Sequence, residues 1–212
     1  MAADEVEICN LALAKLGGGS DTLTITAMGD GSKTSDLCEL LYDLIRKEVL
    51  KRMKPQECTE YKELDESDDT PEMAEWDYVC DLPDDCLQFI RQTDEQYHKI
   101  TYDTEVKGDY LFTNTYSNED GDAVYVEYIV DEDTVTVFSD EVVMAIATKL
   151  AAELAPRIIG GEWAWKRRLD LLDEYEKLVM PLAKGINRQQ QHHDERPRES
   201  KYEILGDRYE YS

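Results

Sequence analysis

An α+β protein is expected from three features of this sequence. Two segments with helical periodicity open it, a middle stretch rich in aromatic and β-branched residues follows, and helical periodicity returns after residue 138. Helices at both ends of a chain pack together only when the strands between them form an insertion. The predicted architecture is therefore a four-helix core with an inserted small antiparallel β subdomain and an extended C-terminal tail. Residues 1–55 and 139–184 make the helical bundle core, 56–138 an acidic loop plus the β-rich insertion, and 185–212 the C-terminal arm.

The first helix is "DEVEICNLALAKLGGG". Asp4 with Glu7 three residues later forms a capping-box pattern, and acidic side chains suit the positive end of the helix dipole. Ile8, Leu11, Ala12 and Leu16 keep helical spacing, and Gly17 to Gly19 stop it. The second helix, "SDLCELLYDLIRKEVLKRM", is expected to start near Ser35 and Asp36 with Glu39 in the capping position. Leu37, Leu40, Leu41, Leu44, Ile45 and Val49 give it a broad apolar stripe. Basic residues gather toward its end, and Pro55 terminates it.

Glu57, Glu60, Glu63, Asp65, Glu66, Asp68 and Asp69 then form a charge run with little apolar content, expected as an exposed loop. "WDYVCDLP", "YHKITYD", "DYLFTN", "AVYVEYIV" and "TVTVF" supply about four strands. Their links are too short for crossover helices, so the pairing is antiparallel. In "AVYVEYIV", Val124, Val126, Tyr128 and Val130 share one face, and Tyr125, Glu127 and Ile129 share the other. Apolar side chains on both sides mean that neither face is simply solvated.

The third helix follows Phe138. Ser139 is its expected N-cap, Asp140 and Glu141 fill the first turn, and Val143, Ile146, Ala147, Leu150 and Leu154 form a core stripe. Pro156 perturbs its end and Gly160-Gly161 close it. Ala147, Ala151 and Ala155 fall at i, i+4 and i+8, with Ala145, Thr148 and Ala152 on an adjoining strip. Small residues let a neighbouring helix approach closely on more than one side. That neighbour is either another helix of the same bundle or a second subunit, since both use the same packing. The fourth helix, "EWAWKRRLDLLDEYEKLVMPLA", sets Leu169, Leu172 and Val179 on one side. Beyond Gly185 the sequence is polar and aperiodic until a cluster of Tyr202, Ile204, Leu205, Tyr209 and Tyr211.

Charge and chemistry narrow the function. The 212 residues carry 48 acidic against 23 basic side chains, a formal net charge of -25. Such a surface repels phosphate backbones and acidic lipid, so nucleic-acid and membrane binding are disfavoured. Five widely spaced cysteines without a CxxC pair point to reduced thiols made in a cytoplasm. No catalytic constellation emerges, and neither an enzyme nor a cofactor is expected. His98 reads as a half-buried polar residue in a strand, and His192 and His193 lie in the tail without evident partner ligands. "GDGSKTSD" lacks phosphate-loop spacing, because Ser32 precedes Lys33, and reads as a capped loop before the second helix.

Several segments, taken in order, resemble tailed-phage head-to-tail adaptors, the connector proteins related to podophage tail tubular protein A. They are "EICNLALAKLGGG", "LCELLYDLIRKEVL", "YVCDLPDDCLQFIR" and "VYVEYIVDEDTVTVFSDEVVMAIATKLAAELAPRI". The family's "LP-x-D-x-L" segment corresponds to Leu82-Pro83, Asp85 and Leu87. Its small-residue helix corresponds to Phe138, Ala145, Leu150-Ala151 and Leu154-Ala155. The resemblance spans roughly residues 4 to 184. It departs at "KRMKPQE", where many members carry an aromatic, and in the acidic segment and tail, which have no firm counterpart.

What the resemblance implies is a structural protein without catalysis. Such adaptors form a homo-oligomeric ring, typically dodecameric, in the neck of the virion. The portal protein lies above, tail or terminator proteins lie below, and DNA passes through the lumen without specific binding. The tail residues Tyr202, Ile204, Leu205, Tyr209 and Tyr211 are then the expected portal grip. Asp65, Glu66, Asp68 and Asp69 are candidates for a lumen lining that repels DNA and lets it slide. A tail completion or terminator ring is the nearest alternative, and an acidic DNA-mimic interaction protein a more distant one.

Overall fold

A computed structural model describes residues 4–17, 23–67, 75–94, 96, 98, 102–116 and 123–186. The fold is α+β, with four helices and small antiparallel sheets. Helix α1 spans Glu5–Lys15, and the carboxylate of Asp4 accepts the Glu7 N–H at 2.7 Å, which satisfies one of the first turn's orphan donors. Helix α2 spans Lys33–Met53 and starts earlier than the sequence implies. Its cap is Ser32, whose hydroxyl accepts the Ser35 N–H at 3.1 Å, so Glu39 lies beyond the capping position. The loop before it closes on Asp30, whose carboxylate accepts the N–H groups of Thr26 and Ser32 at 3.0 and 2.9 Å. Lys54, left-handed at φ 51°, ends α2 just before Pro55.

Six strands are described: β1 (Thr59–Leu64), β2 (Tyr78–Asp81), β3 (Cys86–Thr93), β4 (Thr104–Lys107), β5 (Tyr110–Thr113) and β6 (Val124–Val130). They pair antiparallel in two three-stranded sheets, ordered β1-β6-β3 and β2-β5-β4. Strand β1 corrects the expected loop. It runs along β6 from Thr59 opposite Ile129 to Leu64 opposite Val124, and only Leu64 is buried. A charged edge strand looks like a loop in sequence, yet its charges protect the sheet edge from further pairing. "TVTVF", expected as a strand, holds a single 3-10 turn at Val135–Val137. His98 also departs from expectation: it lies outside the strands, exposed, with its ring nitrogen 2.9 Å from Asp94.

Helix α3 (Asp140–Ile158) is the centre, with α1, α2 and α4 packed on it. Ser139 precedes it, but its side chain caps nothing; its N–H instead donates to Glu57 at 3.1 Å. Pro156 does not end the helix, which runs on to Ile158. Both faces of β6 are buried, and its apolar residues join the helices in one continuous core. Helix α4 (Gly161–Glu174) continues through a π turn at Tyr175–Val179 into a last helical stretch, 180–186.

The inward line of α4 is Ala164, Leu171 and Tyr175, followed by Met180 and Ala183. Leu169 points outward instead, while Leu172 and Val179 sit half-buried at the edge of the core. The π turn has a local cause. Pro181 lacks an N–H and its ring would crowd the carbonyl four residues back, and the wider turn, closed by the Met180 N–H on Tyr175 O, makes room. The residue it adds resets the phase, returning Met180 and Ala183 to the core.

Candidate interaction surfaces

The small-residue helix was the first candidate. Ile146, Ala147, Leu150, Ala151, Leu154 and Ala155 are all 0% exposed, and Val143 is 8%. Ala145, Thr148 and Ala152 on the adjoining strip are likewise fully covered. The neighbours that cover them are α1, α2, α4 and the core face of the sheet. Small side chains therefore fit crowding within one chain, and this small-residue strip is not open to a second subunit.

Of the acidic candidates, Asp65 and Glu66 are exposed just beyond β1. Glu66 bridges to Cys80 through the backbone and accepts a hydrogen bond from the Tyr116 hydroxyl at 3.1 Å. Asp68 and Asp69 lie outside the described residues, as do Tyr202, Ile204, Leu205, Tyr209 and Tyr211.

The buried charges are structural. Arg46, its side chain 5% exposed, pairs with Asp43 at 2.6 Å and Asp131 at 2.8 Å and donates to the carbonyl of Glu132. Glu127 on β6 pairs with Arg91 on β3 and accepts from the Tyr61 hydroxyl at 3.2 Å. These contacts tie α2 to the β6–α3 connection and cross-link the sheet. Burial pushes the Cys58 thiol up to about 12 and the Cys80 and Cys86 thiols up to about 11. Contact with Cys38, reinforced by burial, raises Cys9 further still. Thiols held protonated in this way are poor nucleophiles and poor metal ligands. Among the described residues, no group of three or more His, Cys, Asp or Glu side chains is placed to hold a metal ion. No described helix is long and apolar enough to cross a membrane.

What the periodicity missed is the set of large apolar side chains left in water. On α2, Leu40 and Leu44 are 69% and 63% exposed, beside the exposed acids Asp36, Glu39 and Asp43. On α4, Trp163 and Trp165 are each 59% exposed and Leu169 63%. Leu178, Leu182 and Ile186 extend the exposed apolar surface down the same helix. A signal was present in the breadth of the α2 stripe, which is wider than one buried helix face requires.

Trp165 also walls a groove of about 400 Å³ with Glu153, Pro156, Arg157 and Arg168. Arg168 is held over the Trp165 ring, 5.9 Å from its centroid, by two hydrogen bonds to the Glu153 carboxylate at 3.0 and 3.2 Å. Arg157 donates only to the Glu153 carbonyl, 2.8 Å away. Among the described residues its charge has no acidic partner. This groove offers an aromatic wall and a cation to whatever enters it. A scan against protein-family models finds no match for the chain, and no curated protein matches it either.

Proposed function

We propose that this chain is a structural virion protein, a head-to-tail adaptor that forms a ring between portal and tail, with DNA passing through its lumen. What supports the reading is how the resembling segments meet in the fold. The "LP-x-D-x-L" segment forms the corner between β2 and β3. There the Leu82 N–H donates to Asp109 O and the Cys86 N–H to Pro83 O, both at 2.8 Å. The Asp85 carbonyl accepts the Asp131 N–H at 2.8 Å, and its carboxylate accepts the Tyr128 hydroxyl at 3.4 Å. This corner thus fixes the end of β6, the strand that leads into α3, and gives the motif a structural task. Leu40 and Leu44, exposed one turn apart on α2, and the exposed Trp165 on α4 add to this as apolar surface that a neighbouring subunit can cover.

In this role the chain assembles into a homo-oligomeric ring, dodecameric as the resemblance implies, docked on the portal by residues 185–212 and on tail proteins below. The acids near Asp65 and Glu66 line or rim the lumen. Negative-stain electron microscopy of the chain mixed with the portal protein encoded beside it tests the reading. Rings stacked on the portal are expected, and they should be lost when residues 186–212 are deleted. Rings that cap a tail tube and ignore the portal would make the protein a terminator instead. A monomer or dimer that binds a basic host protein would make it a DNA mimic. Neutralising Asp65, Glu66, Asp68 and Asp69 should alter DNA retention or ejection, and unchanged behaviour would remove that segment from the lumen.

A further inference from the structure

We infer that the Trp165 groove at the junction of α3 and α4 receives the Leu40–Leu44 ridge of α2 from a second copy of the chain. This inference rests on the ring reading and names the two surfaces that build it. The ridge is convex and apolar, with Leu40 and Leu44 one turn apart on the outer face of α2. Asp36 and Glu39 flank it, both exposed and, among the described residues, without an ion pair, whereas Asp43 beside them is paired with Arg46 and Lys47. The groove is concave and apolar at its wall, and among the described residues its Arg157 has no acidic partner. Ridge and groove therefore match in shape, in apolar character and in sign of charge. The match is notable because the chain as a whole carries -25, so two copies repel except where a basic patch faces acids.

The two surfaces do not cover each other within one chain, since Leu40, Leu44 and Trp165 are each more than half exposed. The tie between α2 and the continuation of α4 is at the far end of α2, where Arg52 pairs with Glu176 at 2.7 Å. Leu44 and Leu40 lie about 12 and 18 Å from that tie along the helix, at 1.5 Å per residue. A ridge on one side of a protomer meeting a groove on another is a heterologous contact. Repeated, it closes into a ring or runs on as a filament, whereas a self-complementary patch stops at a dimer. Trp165, stacked with Arg168 and surrounded by Leu169 and Pro156, has the composition of an energetic centre for such a contact.

Two double variants decide the matter, each altered only at exposed positions. The ridge variant is Leu40→Glu with Leu44→Glu, and the groove variant is Trp165→Ala with Arg157→Glu. Circular dichroism and thermal melting confirm that both fold like the parent, and sedimentation velocity reads their mass. The parent chain should associate beyond a dimer, and each variant alone should lose that association by at least about tenfold in apparent affinity. Mixed together, the two variants should form a one-to-one dimer and nothing larger, because one intact ridge and one intact groove remain. Association that survives in either variant overturns the assignment of that surface, and a mixture that stays monomeric overturns their pairing. A parent chain that is monomeric up to about 1 mM overturns self-association through these faces. Rings seen on the portal despite any of these failures would leave the adaptor reading standing. Complementing dimers from a chain that ignores the portal would do the reverse.

Discussion

Helices α3 and α4 pack against each other, yet they solve opposite problems. Helix α3 is surrounded, and it carries Ala145, Ala147, Ala151, Ala152 and Ala155 because nothing larger fits between its neighbours. Helix α4 buries only Ala164 and Leu171 and turns Trp163, Trp165 and Leu169 to water. Side-chain size thus runs opposite to what hydrophobicity alone would assign. The apolar residues of α3 hold the protomer together. Those of α4 contribute little to it and are available to a partner.

Substitutions on the two helices should therefore separate cleanly. The largest effect is expected from Leu150→Ala on α3, which leaves a cavity in a fully buried site and should cost about 2–5 kcal/mol. Leu169→Ala on α4 should change stability by less than about 0.5 kcal/mol. Urea unfolding of both variants checks the contrast, and similar losses would erase it. Overpacking comes next: Ala151→Leu should cost about 1–3 kcal/mol, because no free space adjoins that position. Trp165→Ala should leave the urea midpoint nearly unmoved while weakening association, a split that a purely structural tryptophan would not give.

The smallest effect is a pH dependence in the loop before α2. Hydrogen bonds from Ser32 and Thr26 hold Asp30 down at about 2. Its folded value lies below the unfolded one of about 3.9, so its contribution is present above that pH and is lost as pH falls through the folded value. The parent's advantage over Asp30→Asn in urea should therefore be full near neutrality and shrink as the pH drops from about 4 toward 2. An advantage independent of pH would mean that the loop is closed by shape rather than by the carboxylate.

Much of the buried half of this contrast was legible in the sequence. The Asp4 cap, the α3 core stripe and the two-faced burial of Val124–Val130 all follow from periodicity and capping chemistry. The outward half was not. The α2 stripe merges Leu41 and Ile45, which are buried, with Leu40 and Leu44, which are not, because hydropathy does not distinguish a core from a partner. On α4, the π turn shifts the phase that a 3.6-residue period assumes between Leu172 and Val179, and the buried line runs instead through the small Ala164 to Leu171, leaving Leu169 outside. Strand β1 was hidden by its edge charges. Strand β3 was hidden by register shifts at Cys86/Gln88 and Phe89/Arg91, which break the alternation that marks a strand.

The central claim is that the exposed tryptophans of α4 belong to an interface. Its most direct test is tryptophan emission and acrylamide quenching in a Trp76→Phe variant, in which Trp163 and Trp165 are the only emitters. The two are followed across a dilution series while sedimentation reports mass, with and without the portal protein. Emission should shift to the blue and quenching should fall as the mass rises. A rise in mass with both tryptophans still fully open to quencher would contradict the claim, as would full exposure at every concentration and on the portal.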